Sequence, residues 1–451
     1  MAELIRGREI SAEEAVQACL DQIAVVNPKV NAVVAFAPDA LGHAREADKA
    51  LARGDAPGAL HGVPFTAKDS LDTAGLVTTV GTVGWRDRVP ERDATVVARL
   101  RAAGAILLGK TNTPEFTWSD ETDNDVYGRT SNPYDLERTP GGSSGGPAAI
   151  VAAGGSPFDI GSDTGDSIRQ PAHVCGIAGI KPTSGRVPRT GHWPNFAGIT
   201  GPLTQLGPMA RRVDDLALIL GVIAGPDGED PHIPPVALGR PADVDVAALR
   251  VVAFADNGIR TPTAETIAAV EAAAVALADG GATVDWRVPP GLDEAWAAWD
   301  STIRSDGHAW LWRLIEAAGT PGIGSYETRG WARPEPPISG DALSAALEQA
   351  DHVRSKLLRW FHASGADVIL CPAMPQPAIR HGESNAAWFG DTYSDVHNLT
   401  GWPAVVVRGG LAPGGLPIGV QLIGRPWRED VALAAARVVE AASGGWQPPP
   451  L

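Results

Sequence analysis

Residues 141–169 read GGSSGGPAAIVAAGGSPFDIGSDTGDSIR. Two glycine- and hydroxyl-rich stretches, Gly141 to Gly146 and Gly161 to Ser167, flank a short apolar run, Pro157 to Ile160, that is bounded by glycine in the manner of a buried strand. Gly141 to Gly146 contains two overlapping GxSxG frames, the pattern of a nucleophile elbow. That elbow needs a buried strand before it, whereas Arg129 to Pro140 is polar and carries Pro133 and Pro140. An elbow is therefore not expected. Two hydroxyl-rich loops so close together, one directly after a strand, are more than connectors, because functional groups concentrate on loops held by a rigid scaffold.

Outward from this segment, helical and strand patterns alternate. Ser11 and Glu14 make a capping box, and Val16, Cys19, Leu20 and Ile23 recur at helical spacing, which predicts a helix over residues 11–26. Further helices are expected at 39–54, 93–104, 263–279, 344–362 and 429–442. Short strands are expected at 105–108, 157–160, 249–254, 368–370, 404–407 and 418–423. Alternation of this kind predicts an α/β fold with a mixed, twisted β-sheet core covered by helices on both faces. Gly104 to Thr111 satisfies the phosphate-loop pattern GxxxxGK[ST], but Ala105 to Leu108 is itself the expected strand and Asn112-Thr113-Pro114 does not open a helix. Nucleotide binding is not expected.

The chain has 451 residues, 44% hydrophobic and 20% charged, enough for a substantial core. Pro-, Gly- and Asp-rich stretches at 225–245 and 319–340 read as surface connections, and there is no internal repeat. One domain spanning 1–451 is expected, with a variable region at about 225–345. The net charge of −16 repels phosphate backbones and anionic lipid, so neither nucleic acid nor membrane is an expected partner. No apolar run is long enough to span a bilayer, and the polar start MAELIRGREISAEEA lacks a secretory h-region; a cytoplasmic location is expected. Cys19, Cys175 and Cys371 form an odd set without a CxxC pair and read as reduced, buried thiols. The ten histidines show no ligand spacing, so no metal is expected.

Only six of the 37 basic residues are lysines. One of them, Lys68, follows the mostly apolar run Gly62 to Ala67, where burial would leave a neutral amine able to act as a general base for a serine. Taken alone, such a lysine more often snorkels to the surface. Six of the 14 tryptophans (Trp286, Trp296, Trp299, Trp310, Trp312 and Trp331) fall in one stretch, a candidate hydrophobic lid or simply core.

The segments GVPFTAKDS (62–70), GAILLGKTNTPEF (104–116), SNPYDLERTPGGSSGG (131–146), GSDTGDSIRQPA (161–172) and GIKPTSGRVP (179–188) occur in this order and closely resemble the amidase signature family of Ser–cisSer–Lys hydrolases. The segments DVILCPAMPQPA, HNLTGWPAVVVRGG and GLPIGVQLIGRP resemble its C-terminal half, so the resemblance covers nearly the whole chain. It implies the amidase-signature fold, with Ser167 as nucleophile, Ser143 as bridging serine on a cis peptide bond and Lys68 as base. By the same resemblance the backbone amides of Thr164, Gly165, Asp166 and Ser167 form the oxyanion hole, Ser144 supports the bridge, and Asp163 and Arg169 form a supporting ion pair. No cofactor is implied.

The sequence departs from the family at Asp166, where glycine is usual. Glycine tolerates backbone angles that cost other residues about 1 kcal/mol. A carboxylate beside an oxyanion is also repulsive, so either the Asp166 side chain points away and reshapes the pocket or acyl transfer is impaired. Pro147 and His173 replace small residues; a satisfied structural histidine is favoured over one that reaches the site. The resemblance implies an amidohydrolase for a small-molecule amide with a bulky apolar or aromatic group, extending to carbamates, as in a urethanase, and to esters. A monomer or homodimer is expected. Two alternatives stand beside it: the glutaminase subunit of a tRNA-dependent amidotransferase, and a catalytically impaired, amidase-like binding protein.

Overall fold

The computed structural model describes residues 1–195, 198–322, 324, 334–387 and 392–451. Eleven strands form two sheets among them. Strands β1 (Val33–Phe36), β2 (Pro64–Lys68) and β3 (Ile106–Thr111) make a three-stranded sheet in the order β1-β3-β2, with β2 and β3 parallel. The other eight are β4 (Phe158–Asp163), β5 (Ala178–Lys181), β6 (Gln205–Ala210), β7 (Arg250–Ala253), β8 (Thr283–Trp286), β9 (Val368–Pro372), β10 (Ala404–Leu411) and β11 (Pro417–Gly424). They run in the order β4-β6-β5-β10-β11-β9-β7-β8. Pairing is antiparallel from β4 to β9 and parallel for β9-β7-β8, so the sheet is mixed. Every residue of β4, β6 and β11 is buried, which requires cover on both faces.

The Ser11/Glu14 capping box forms, and its helix, Ala12–Val30, runs past the expected end through Pro28. Asn31 ends it in the left-handed conformation, while the Asn27 carboxamide accepts from the N–H groups of Ala32 and Val33, both at 2.8 Å. The helices Ala264–Asp279, Gly340–Ser364 and Glu429–Ser443 agree with expectation, and the first and last pack on β10 and β11. Residues 225–245 hold only a short 3-10 turn, as a surface connection should. The stretch 319–340 lies partly outside the described residues.

The sequence reading overlooked β1, β2, β5, β6 and β8. It also cut β3 short: the strand extends through Gly109, Lys110 and Thr111, so the phosphate-loop match is extended backbone. Similarly β4 extends to Asp163, which places Ser162 and Asp163 on the strand rather than in the loop.

Two apolar clusters form. The larger joins the N-terminal helices to both sheets; the second gathers Phe116, Trp118, Trp299, Phe361, Tyr393 and Trp402 with residues of the helices 292–303, 309–318 and 340–364. Among the described residues, no helix is long and apolar enough to cross a membrane.

Candidate active site

Lys68 ends β2 and is fully buried, so it does not snorkel. Its Nζ lies 2.7 Å from Ser143 Oγ, 2.9 Å from Ser144 Oγ and 3.0 Å from Ser162 Oγ. Burial pulls its ammonium well below the usual lysine range, against the opposing attraction of Asp163 and Asp159. The base candidate and the bridging-serine candidate are thus in direct contact.

The loop that carries Ser143 is clamped from all sides. The Gly142–Ser143 peptide bond is cis, and Gly141 has φ +81°, a conformation suited to glycine. Gly142 N–H donates to Gln170 Oε1 at 2.8 Å, and the Ser143 carbonyl accepts from Thr113 Oγ1 at 3.0 Å. A Cβ on Gly142 would come within 2.5 Å of the Ser119 carbonyl, so no larger residue fits there. Ser144 stands at the head of the buried helix Gly145–Ala152, which begins where the glycine-rich stretch ends. Its Oγ donates to the Ser162 carbonyl at 3.3 Å and so can only accept from Lys68.

The second loop leaves β4 and closes on Asp163. Arg169 Nε and Nη2 donate to the two Asp163 oxygens at 3.0 and 2.9 Å, both side chains being fully buried. Ile168 N–H donates to Asp163 Oδ2 at 3.1 Å, and Asn398 Nδ2 to Oδ1 at 2.9 Å. Burial raises the Asp163 pKa, but Arg169 outweighs it and holds the carboxyl below the usual range. An Asp and an Arg six residues apart are usually unrelated; here they are the tie that shapes the loop. Arg169 Nη1 donates to the Ser394 carbonyl at 2.7 Å and Gln421 Oε1 at 2.8 Å, and Nη2 also reaches the Gly165 carbonyl and Asn398 Oδ1, which fixes the loop to the C-terminal half.

Inside that closed loop stands Ser167, half-buried, with its carbonyl accepting from Ser144 N–H at 3.2 Å. Among the described residues, the backbone N–H groups of Thr164, Gly165 and Ser167 donate to nothing, although three neighbours of this kind normally find partners. Gly165 lies beneath two groups from the C-terminal half: a Cβ there would meet Asp395 Oδ1 at 2.8 Å and the Trp299 ring at 3.2 Å. Trp299 Nε1 also donates to the Thr164 carbonyl at 3.1 Å.

Asp166 is buried and its φ is not positive, which corrects the expectation of backbone cost at this position. Its carboxylate, with those of Asp163 and Asp395, raises Arg169 against the effect of burial. His173 is a structural residue: Nδ1 accepts from Gly419 N–H at 2.9 Å and Nε2 meets the Gln376 carbonyl at 3.0 Å. Of the tryptophan cluster, Trp299 reaches the loop; Trp296, Trp310 and Trp312 pack half-buried on the second apolar cluster, Trp286 is exposed, and Trp331 lies outside the described residues. Sequence reasoning missed Ser162, Thr113, Gln170 and Asn398. Each falls in or beside a quoted motif, but nothing in a lone Ser, Thr, Gln or Asn says which backbone it will meet.

With this geometry in view, comparison with known proteins is direct. The Amidase family profile matches residues 14–433. The chain is 36% identical to a subunit of the Glutamyl-tRNA(Gln) amidotransferase of Carboxydothermus hydrogenoformans, covering 98% of this chain and 96% of that one. Among solved structures, the 6-aminohexanoate cyclic dimer hydrolase superimposes with a TM-score of 0.86 at 30% identity, covering 98% of this chain and 95% of that one. The peptide amidase of Stenotrophomonas maltophilia gives a TM-score of 0.85 at 28% identity, covering 99% and 96%. The chain belongs to the amidase family. It is a hydrolase that acts on amide C–N bonds.

Proposed function

We propose that the chain cleaves amides through an acyl-enzyme on Ser167, with Ser143 as proton relay and Lys68 as base. The contact of the buried Lys68 Nζ with Ser143 Oγ at 2.7 Å carries this reading. Neutral Lys68 takes the Ser143 proton while Ser143 takes that of Ser167, whose Oγ attacks the carbonyl carbon. The developing oxyanion is received by the N–H groups of Thr164, Gly165, Asp166 and Ser167. Charged Lys68 then returns a proton through Ser143 to the leaving nitrogen, the C–N bond breaks, and water hydrolyses the acyl ester by the same relay. Ser144 holds Lys68, and the Asp163–Arg169 pair holds the loop.

Two substrate readings follow. The relative named as part of an amidotransferase, similar over nearly the whole length of both chains, favours the glutaminase role: glutamine as substrate and a partner protein in an assembly. The sequence comparison weighs more for this reading than for the next. A bulky apolar or aromatic amide is favoured by a different observation, the Trp299 ring lying over Gly165 at the nucleophile loop. On that reading the region 225–345 is the substrate-binding part of one domain spanning 1–451, in a cytoplasmic monomer or homodimer, and carbamates and esters are further substrates.

The test uses the purified chain and Ser167→Ala with three substrates: a p-nitroanilide, its matched aryl carbamate, and glutamine. Anilide or carbamate turnover lost in Ser167→Ala supports the stand-alone hydrolase. Glutamate and ammonia from glutamine, lost in the same variant, support the amidotransferase role. Equal turnover by both proteins would remove Ser167 as nucleophile.

A further inference from the structure

Strand β4 carries an acid that this mechanism leaves unused. Asp159 is fully buried, and its Oδ2 accepts from Thr66 Oγ1 at 2.6 Å and from Thr111 Oγ1 at 2.9 Å. Among the described residues its Oδ1 is buried with no side-chain partner, and the Ile160 backbone favours the carboxylate. Thr66 lies two residues before Lys68 on β2, hence on the same face, and Thr111 is the register partner of Lys68 on β3. Both threonines therefore tie Asp159 to the strands that hold Lys68.

The charged groups around this pair come from several elements. Lys110 on β3 interacts electrostatically with Asp159 but donates its hydrogen bonds to the Leu71 carbonyl and to Thr73 Oγ1. Asp69, next to Lys68, is bonded by Thr79 and faces Lys110. Asp163 is spent on Arg169. His192, buried in the segment that bridges to Leu71, is disfavoured as a cation by burial and by Lys68. Among the described residues no cation bonds Asp159 directly, so its charge acts through space.

We propose that Asp159 is a positioning residue that sets the basicity of Lys68. The inference rests on Lys68 being the base. A carboxylate near a buried amine favours the ammonium, whereas the neutral acid does not. Asp163 attracts Lys68 more strongly than Asp159 does, but Arg169 holds its carboxyl below the usual range, so that attraction stays constant near neutrality and is not a variable control. Burial pushes Asp159 up to about 7, in spite of its two threonine donors and the Ile160 backbone, while burial also holds Lys68 well below the usual lysine range. The two groups then titrate as a coupled pair, and loss of the acid leaves the amine easier to deprotonate.

The test reads the rate at which a fluorophosphonate labels Ser167 as a function of pH, which needs no knowledge of the natural substrate. Asp159→Asn keeps shape and removes charge. It is expected to move the acid limb of the profile to lower pH by at least about half a unit, with the high-pH plateau within about threefold of wild type. Thr66→Val withdraws one donor from the carboxylate, keeps it protonated to higher pH, and is expected to shift the limb the same way by less. It carries the test alone should Asp159→Asn fail to fold. Acid limbs that superimpose on wild type in each folded variant overturn the inference, as does a lowered plateau with an unmoved limb. A limb that persists in Lys68→Ala overturns instead the assignment of the base, as does wild-type protein that is never labelled.

Discussion

Lys68 Nζ and Ser143 Oγ meet at 2.7 Å in a space closed to solvent, where an ammonium is costly and a neutral amine is not. A neutral amine can donate to Ser144 and Ser162 while its lone pair accepts from Ser143, so the three surrounding hydroxyls satisfy it without a charge. A base of this kind gives a signed pH dependence. Lys68 must be unprotonated to act, and burial sets its pKa well below the usual lysine value, so kcat/KM is expected to rise with pH through that depressed pKa. Lys68→Ala is expected to lower the rate about 10²- to 10⁴-fold and to flatten the rise. A pH–rate profile of the two proteins checks it, and a wild-type maximum on the acid side of about pH 6 contradicts it.

Gly165 offers a test of the oxyanion donors that leaves the nucleophile alone. A methyl group there would meet Asp395 at 2.8 Å and Trp299 at 3.2 Å, so Gly165→Ala must push the loop off its ledge. Loss of one preorganised donor costs about 10²- to 10³-fold in kcat. Measured kcat is expected to fall by that amount with the melting temperature little changed, because Gly165 itself is half-buried.

Arg169 has the opposite profile. Removing it leaves the fully buried Asp163 without its cation, a change that costs about 3–5 kcal/mol when one partner of a buried pair is deleted. Denaturant unfolding of Arg169→Ala is expected to show a loss of that size. Arg169→Lys is expected to recover only part of it, since an ammonium cannot reach both Asp163 oxygens, the Ser394 carbonyl and Gln421 together.

How much of this was legible beforehand depended on the kind of signal. Helices with caps and clear periodicity, such as Ala12–Val30 and Ala264–Asp279, were readable because local sequence dictates them. Strands such as β2 and β5 were not: PFTAK and AGIK are four or five residues long, without alternation, and become strands only because β3, β6 and β10 lie beside them. At the site, the apolar run before Lys68 drew attention to it and the resemblance supplied Ser143, Ser144 and Ser167; the structure puts Lys68 in contact with Ser143 and Ser144 and joins Ser167 to Ser144 through the backbone. The Asp163–Arg169 tie was named but its burial was not foreseeable, and Asp159, Ser162 and Asn398 gave no local sign. Their roles depend on contacts between segments as far apart as 66 and 159, or 163 and 398.

Trp299 separates the two substrate readings. Its ring covers Gly165 and its Nε1 holds the Thr164 carbonyl, so Trp299→Phe keeps most of the apolar wall while removing the hydrogen bond, and Trp299→Ala removes both. For an aryl amide, KM is expected to rise about tenfold or more in Trp299→Ala and much less in Trp299→Phe, in line with about 1–3 kcal/mol for a lost hydrophobic contact. For glutamine, which has no ring to lose, the two variants are expected to behave alike. Steady-state kinetics with both substrates settle which pattern holds.

Asp166 decides whether the site is tuned or weakened. Its backbone does not use glycine's freedom, so Asp166→Gly is expected to fold with a melting temperature close to wild type. The side chain is buried next to the oxyanion donors, and although Arg169 draws on its charge, that guanidinium also faces Asp163 and Asp395. On the proposed mechanism a carboxylate here adds negative charge near the place where the oxyanion would form, and like charges at close range in a buried site oppose the transition state. Asp166→Gly is therefore expected to raise kcat for a neutral amide by about three- to tenfold, a gain of roughly 1 kcal/mol. A fall in kcat with unchanged folding would mean instead that the carboxylate binds substrate or shapes the pocket, and the same assay run with amides of differing charge would then show which.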